Sequence, residues 1–280
     1  MSNNVYNLVT DRIIEQLEQG IIPWNKPWTG TSAAWSRSTG KPYSFINQLL
    51  LGETGEYATF KEIQKAGGKV RKGEHGKQVV FWKMNKTEIE VDGEKSEKLI
   101  PILRYFTVFN INQCEGIEQK YNKEEIALNF EPVTECDIVI NDYISREKVN
   151  LIHHAGNEAY YQPSTDTVVL PLQEQFKSIE EYYGTAFHEL AHSTGHPNRL
   201  NRITRTASFG SSEYSKEELV AELTSSALLH TMGLETPATF RNNAAYIQSW
   251  INALKNDIKL IVSASSRADK SYNMIMGIEA

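Results

Sequence analysis

Val5, Leu8, Val9, Ile13, Ile14 and Leu17 recur at helical spacing and predict an amphipathic helix from about Asn4 to a stop at Gly20. Residues 21–43 break that rhythm. Pro23, Trp24, Pro27, Trp28, Gly30 and Trp35 mark them as a loop unusually rich in tryptophan. Helical patterning returns over 44–51, and again after Thr59 over 61–66, where Gly67 and Gly68 end it. Residues 77–82 and 100–109 read as strands, and the charged stretch 86–98 between them as a hairpin excursion. A polar, irregular linker covers 115–134. Beyond it come a helix over 136–145 and three short β-prone runs, 150–153, 158–162 and 167–170. Helices then follow over 178–196, over 216–232 with Gly233 as the stop, and over 240–262. The expectation is an α+β chain of two domains, 1–125 and 126–280, without internal repeats.

Composition narrows this only modestly. Hydrophobic residues make up 40% and charged residues 23% of the 280, enough for packed cores and against wholesale disorder. No apolar run approaches the roughly 18 residues that a membrane-spanning helix needs, so no membrane partner is expected. The N-terminus lacks the basic start and apolar stretch of a secretory signal. With Cys114 and Cys136 outside any ligand-spaced motif, a cytoplasmic protein with reduced thiols is expected. The net charge of -6 hides an asymmetry. Residues 1–125 hold 17 Lys and Arg against 16 Asp and Glu, whereas 126–280 hold 12 against 19. Residues 61–86 alone carry eight Lys and Arg against two Glu, so any polyanion partner belongs to a local patch on the first half.

The strongest chemical signal is His188-Glu189-Leu190-Ala191-His192. Residues four apart on an α-helix are about 40° apart in projection and one turn along the axis, so both imidazoles can ligate one metal ion. Glu189 then lies beside the metal, where it can take a proton from water and return it to a leaving group. Such a site needs a third protein ligand, and Glu217-Glu218-Leu219-Val220-Ala221-Glu222 on the following helix offers one. The glutamate-zincin pattern E-x-x-x-[DEN] assigns Glu218 to the metal and Glu222 to support of a ligand histidine, although spacing alone leaves Glu218 and Glu222 both open. Glu217 points about 100° away and is expected in solvent. His196 reads as a helix-end residue rather than a ligand, and His153, His154 and His230 as structural. Zinc is the expected ion, with manganese and cobalt as alternatives for a two-histidine, one-glutamate set.

In the first half, Lys69, Arg71, Lys72 and Lys77 lead into the aromatic strand that holds Phe81 and Trp82. Cations tracking phosphates, with rings that stack on unpaired bases, is how single strands are bound. The competing reading is a solvated lysine face over core aromatics. Trp24, Trp28 and Trp35 are open to the same two readings, base stacking or loop packing.

Taken together, Ile22-Pro23-Trp24 with Pro27-Trp28, the run YSFINQLLL at 43–51, VRKGEHG at 70–76, FHELAHSTGHPNRLN at 187–201 and YSKEELVAEL at 214–223 resemble the ArdC-type antirestriction proteins of plasmids and other mobile elements. The resemblance covers nearly the whole chain. It implies an N-terminal domain that binds single-stranded DNA, with duplex DNA as the alternative, and a C-terminal zincin-like metallopeptidase domain. It places His188, His192 and a glutamate of 218–222 on the metal, with Glu189 at the catalytic position. It further implies protection of incoming DNA from host restriction, with a protein substrate or restriction-system component as the other partner. Two functions stay open at this point: a zinc-dependent peptidase brought to DNA, or a non-catalytic DNA-binding protective protein whose metal site is structural.

Overall fold

The computed structural model describes residues 2–25, 33–91, 94–120, 132–203, 212–234 and 244–279. They form two compact units, one of residues 1–12 and 34–122, the other of residues 13–33 and 123–280. Helix α1 (Ser2–Glu18) contributes its first part to the first unit and its second part to the other. Its apolar stripe of Val5, Val9, Ile13 and Leu17 is buried, as the spacing predicts. Gly20 takes the left-handed φ of 75° that ends it. Pro27, Trp28 and Gly30 lie outside the described residues.

The first unit is built on a four-stranded sheet and two short helices. In chain order these are β1 (Ala34–Ser36), α2 (Phe45–Leu51), β2 (Gly55–Thr59), α3 (Phe60–Lys65), β3 (Lys69–Val70), β4 (Lys77–Val91), β5 (Glu94–Asn110) and β6 (Cys114–Glu115). The sheet order is β1-β2-β5-β4, and β3 pairs with β6 as a separate ribbon. Thr59 caps α3 through a reciprocal box with Glu62. Val79, Val108, Tyr57 and Leu51 form one small core, and Ala58, Ile63, Ile111 and Cys114 another. The stretch expected as a hairpin excursion is a hairpin, but its arms continue the two strands, since β4 and β5 stay paired from Lys77↔Val108 to Val91↔Glu94. The start of the expected linker is also structured, because Cys114 and Glu115 pair with Val70 and Lys69, while residues 121–131 lie outside the described ones.

The second unit carries α4 (Pro132–Glu147), β7 (Asn150–His154), β8 (Tyr160–Gln162), β9 (Thr167–Pro171), α5 (Ile179–Ser193), α6 (Ser212–Met232), α7 (Ala244–Asn256) and α8 (Leu260–Met276). β9 is central, parallel to β7 and antiparallel to β8, and is buried along its whole length. Tyr143, Val168, Leu170, Phe187, Leu190, Leu228 and Ile275 join the sheet to α4, α5, α6 and α8 in one core. Trp24 belongs to this unit, fully buried and edge-on to Trp250 at 5.1 Å, so base stacking is excluded for it. The single helix expected over 240–262 is in fact two. The chain breaks at Asp257, whose carboxylate accepts the Lys259 amide at 3.0 Å, and α8 continues to Met276. Residues 235–243 lie outside the described ones. Among the described residues no helix is long and apolar enough to cross a membrane.

Candidate metal centre

Helix α5 begins at a serine cap, with Ser178 Oγ accepting the Glu181 amide and two glutamates in the first turn. It ends with its carbonyls occupied. Arg199 Nε donates to the Ser193 carbonyl at 2.8 Å, and Asp166 grips the same guanidinium. Helix α6 runs antiparallel to α5 and close to it. Ser225 Oγ donates to the Gly184 carbonyl at 2.9 Å. One to two turns from that contact, the glutamates of α6 meet the histidines of α5.

The Nε2 atoms of His188 and His192 are 3.1 Å apart. One oxygen of Glu218 is 3.3 Å from His192 Nε2, and the other is 3.6 Å from His188 Nε2. Tetrahedral zinc with bonds near 2.0–2.1 Å has ligand–ligand edges of about 3.3 Å, so the triangle suits an ion at its centre. Among the described residues these three form the one group of metal-capable side chains with donor atoms within 4.8 Å of one another. Behind them, Glu222 lies 3.8 Å from His188 Nδ1 and Glu217 lies 3.6 Å from His192 Nδ1. Glu189 is buried at 6% exposure and has no hydrogen-bond or ion-pair partner among the described residues.

The charges respond to this crowding. Burial opposes charge on His192, but Glu217 and Glu218 outweigh it and push the imidazole up to about 10. Burial would raise Glu218, yet His188 and His192 hold it well below the usual carboxylate range. His192, facing Glu217 and Glu218, holds a proton that a divalent cation would displace.

Glu217 corrects the sequence reading. Its side chain is 15% exposed and bound by the Arg202 guanidinium through bonds of 2.7 and 3.1 Å, not solvated. Helical projection could not show this, because Arg202 approaches from the segment after α5. His196 accepts the Asn198 amide at 3.2 Å and stays outside the cluster. His230 is buried, with Nε2 3.1 Å from the Trp24 carbonyl.

The basic residues of the first unit are spread out. Lys69 on β3 pairs with Glu115 at 3.1 Å, Arg71 with Glu74 at 3.0 Å, and Lys72 is exposed in the turn that follows. Lys77 is half-buried and its Nζ donates to the Leu51 carbonyl at 2.6 Å, which caps α2. Trp82 is 50% exposed and leans on Tyr6. The sequence reading passed over Phe106 and Arg104. The register sets Phe81 opposite Arg104 and Val79 opposite Phe106, so Phe81, Lys83, Arg104 and Phe106 share one face. Phe81 and Phe106 stack at 4.4 Å with planes 3° apart, and Phe106 is 53% exposed. The signal is alternation across two strands, readable only once their register is known.

Residues 3–109 match the N-terminal domain of anti-restriction factor ArdC, and residues 139–267 match a zincin-like metallopeptidase family. The chain is 33% identical over 295 residues to the DNA primase TraC of Escherichia coli, an alignment that takes in 97% of this chain and 27% of the primase. This chain thus spans little more than a quarter of that relative's length. An uncharacterised protein of Sinorhizobium fredii, y4eC, is 31% identical, with 95% of this chain and 90% of that protein aligned. The manganese(II)-bound crystal structure of the antirestriction protein ArdC from plasmid R388 superposes with a TM-score of 0.77 at 32% identity, covering 98% of this chain and 97% of that one. Its metal-free counterpart gives 0.76 at 33% identity over the same shares. The chain belongs to the ArdC antirestriction family, an ArdC-type N-terminal region joined to a zincin-like metallopeptidase domain whose donor set suits a divalent metal.

Proposed function

We propose that this protein is an antirestriction factor of a mobile element, acting in the cytoplasm, that binds single-stranded DNA through the ArdC-type region of residues 1–125. Residues 126–280 carry a zinc metallopeptidase site directed at a protein on that DNA or a component of the restriction system. The observation that carries the reading is the His188, His192 and Glu218 triangle with Glu189, which is buried on the helix of the two histidines and has no hydrogen-bond or ion-pair partner among the described residues. A purely structural ion needs no carboxylate beside it. The two histidines and Glu218 would hold the ion. When bound, it supplies Lewis acidity toward a peptide carbonyl and toward water. Glu189 accepts the proton of the attacking water at its carboxylate and delivers it to the leaving amine. Glu222 and Glu217 orient the two imidazoles.

For the DNA-binding half, the Phe81–Phe106 stack beside Arg104 and Lys83 supports base stacking with phosphate contacts, Lys69, Arg71 and Lys72 add charge, and Trp82 offers a second stacking ring on the opposite face of β4. Lys77 stabilises the surface from below through α2. ArdC of plasmid R388 is an antirestriction protein and TraC a DNA primase, which favours a nucleic-acid partner. The deciding experiment is Glu189→Gln, which leaves the metal triangle intact. Metal content is expected to stay at wild-type level, while protection of a transferred plasmid against a restricting host is lost. Protection equal to wild type would assign the metal site to structure alone.

A further inference from the structure

Every donor of Arg202 is used inside the protein, as is also true of Arg199, but Arg202 alone of the two grips a carboxylate that faces the metal cluster. Nε and Nη2 hold the Glu217 carboxylate at 3.1 and 2.7 Å. Nη2 also donates to the Ala191 carbonyl at 3.0 Å, and Nη1 donates to Thr194 Oγ1 and Ser271 Oγ, both at 2.9 Å. That accounts for all five N–H groups of a guanidinium whose side chain is 5% exposed. The plane is fixed by the end of α5 and by α8, so the carboxylate it grips is fixed too. The carboxylate oxygen that Nη2 holds, Oε1, also lies 3.6 Å from Nδ1 of His192, while Nε2 of the same ring faces His188 and Glu218.

We infer that Arg202 and Glu217 are a positioning pair for His192, setting its ring plane and its Nδ1–H tautomer so that Nε2 is presented to a metal ion. The inference rests on the metal-binding reading of the previous subsection. It gives the two histidines different supports. His188 has Glu222 at 3.8 Å, with no arginine recorded on that glutamate among the described residues. His192 has a carboxylate locked from behind. Arg202 touches no candidate ligand atom and acts only through Glu217.

The test uses full-length protein and the zinc dissociation constant from competition with a chromophoric chelator, with the melting temperature of the metal-free form read in parallel. Glu217→Gln keeps an acceptor for Arg202 and removes the charge facing His192. It is expected to weaken zinc binding about 10- to 100-fold with little change in metal-free melting temperature. Arg202→Lys, which cannot grip a carboxylate with a two-pronged fork, is expected to weaken it similarly, and the double variant no further than Glu217→Gln alone. Unchanged affinity in Glu217→Gln, alongside lost binding in His188→Ala, would overturn this inference and leave the metal site standing. Losses that add in the double variant would overturn it as well, because Arg202 would then act by another route. Wild-type affinity in His188→Ala would remove the metal reading and the inference together.

Discussion

In the second unit His188, His192 and Glu218 converge within 4.8 Å, with side chains no more than 15% exposed. In the first unit, Lys83 and Arg104 stand in solvent on the same face as a phenylalanine that is 53% exposed, and Lys72 is exposed in a turn. The difference is one of tolerance. A metal triangle is set by two helices packed through a shared core and the Ser225–Gly184 bond, and every member faces the same point. An open face that stacks bases and meets phosphates shares its work among many groups, so no single one is indispensable. Substitutions should separate the two regimes.

The largest effect is expected at the triangle. His188→Ala or Glu218→Ala should reduce metal affinity by more than the roughly 100-fold that loss of a supporting contact costs, as read by metal analysis of purified protein. A small loss in Glu218→Ala would place Glu222 on the metal and break the assignment. Charge pairs give the next contrast. Arg199 is 3% exposed and grips Asp166, while Lys69 and Glu115 are 77% and 54% exposed. Asp166→Ala leaves a buried guanidinium uncompensated and should cost about 3 kcal/mol, whereas Glu115→Ala should cost about 0–1 kcal/mol by thermal melting. Burial works against the charged Asp166, but Arg199 and Tyr161 more than compensate and lower its pKa. The folded pKa lies below the unfolded one. The contribution of Asp166 is therefore present above the ordinary carboxylate range and is lost as pH falls through the folded pKa. The gap between Asp166→Ala and wild type should accordingly close in acid.

How far the sequence revealed each region follows the same division. Helices α1, α4 and α5 were legible because a 3.6-residue stripe is local, α6 from the Gly233 stop that closes it, and the His188/His192 spacing is a property of one helix. The short strands β1, β2, β3 and β6 were not, since two to five residues carry too little alternation and their partners are distant in sequence. The break before α8 has no glycine or proline to announce it, and only the turn-prone pair Asn256-Asp257 signals it. Glu217 was misplaced and Phe106 passed over for one reason. Each acquires its role from a residue on another element, Arg202 for the first and the register with β4 for the second.

Phe106→Ala tests the open face directly. Because the ring is half in solvent, the fold should hold, and affinity for a single-stranded oligonucleotide should fall by about 1–3 kcal/mol, the range for one base–aromatic stack. Wild-type binding by gel shift would move the stacking surface to Trp82 on the opposite face of β4.

The smallest effect is expected from charge on the turn. Arg71 and Lys72 are exposed, and neutralising one phosphate contact on a single strand changes the slope of log affinity against log salt by about 0.7. Arg71→Gln with Lys72→Gln should therefore flatten that slope by about 1.4 and weaken binding at low salt while leaving it nearly unchanged at high salt. Arg71 already shares its charge with Glu74, so the contribution of Lys72 should be the larger of the two when each is replaced singly. An unchanged slope in the double variant, with a flattened one in Arg104→Gln, would confine the phosphate path to the Phe81–Phe106 face. The open site would then resemble the buried one in being concentrated on a single face.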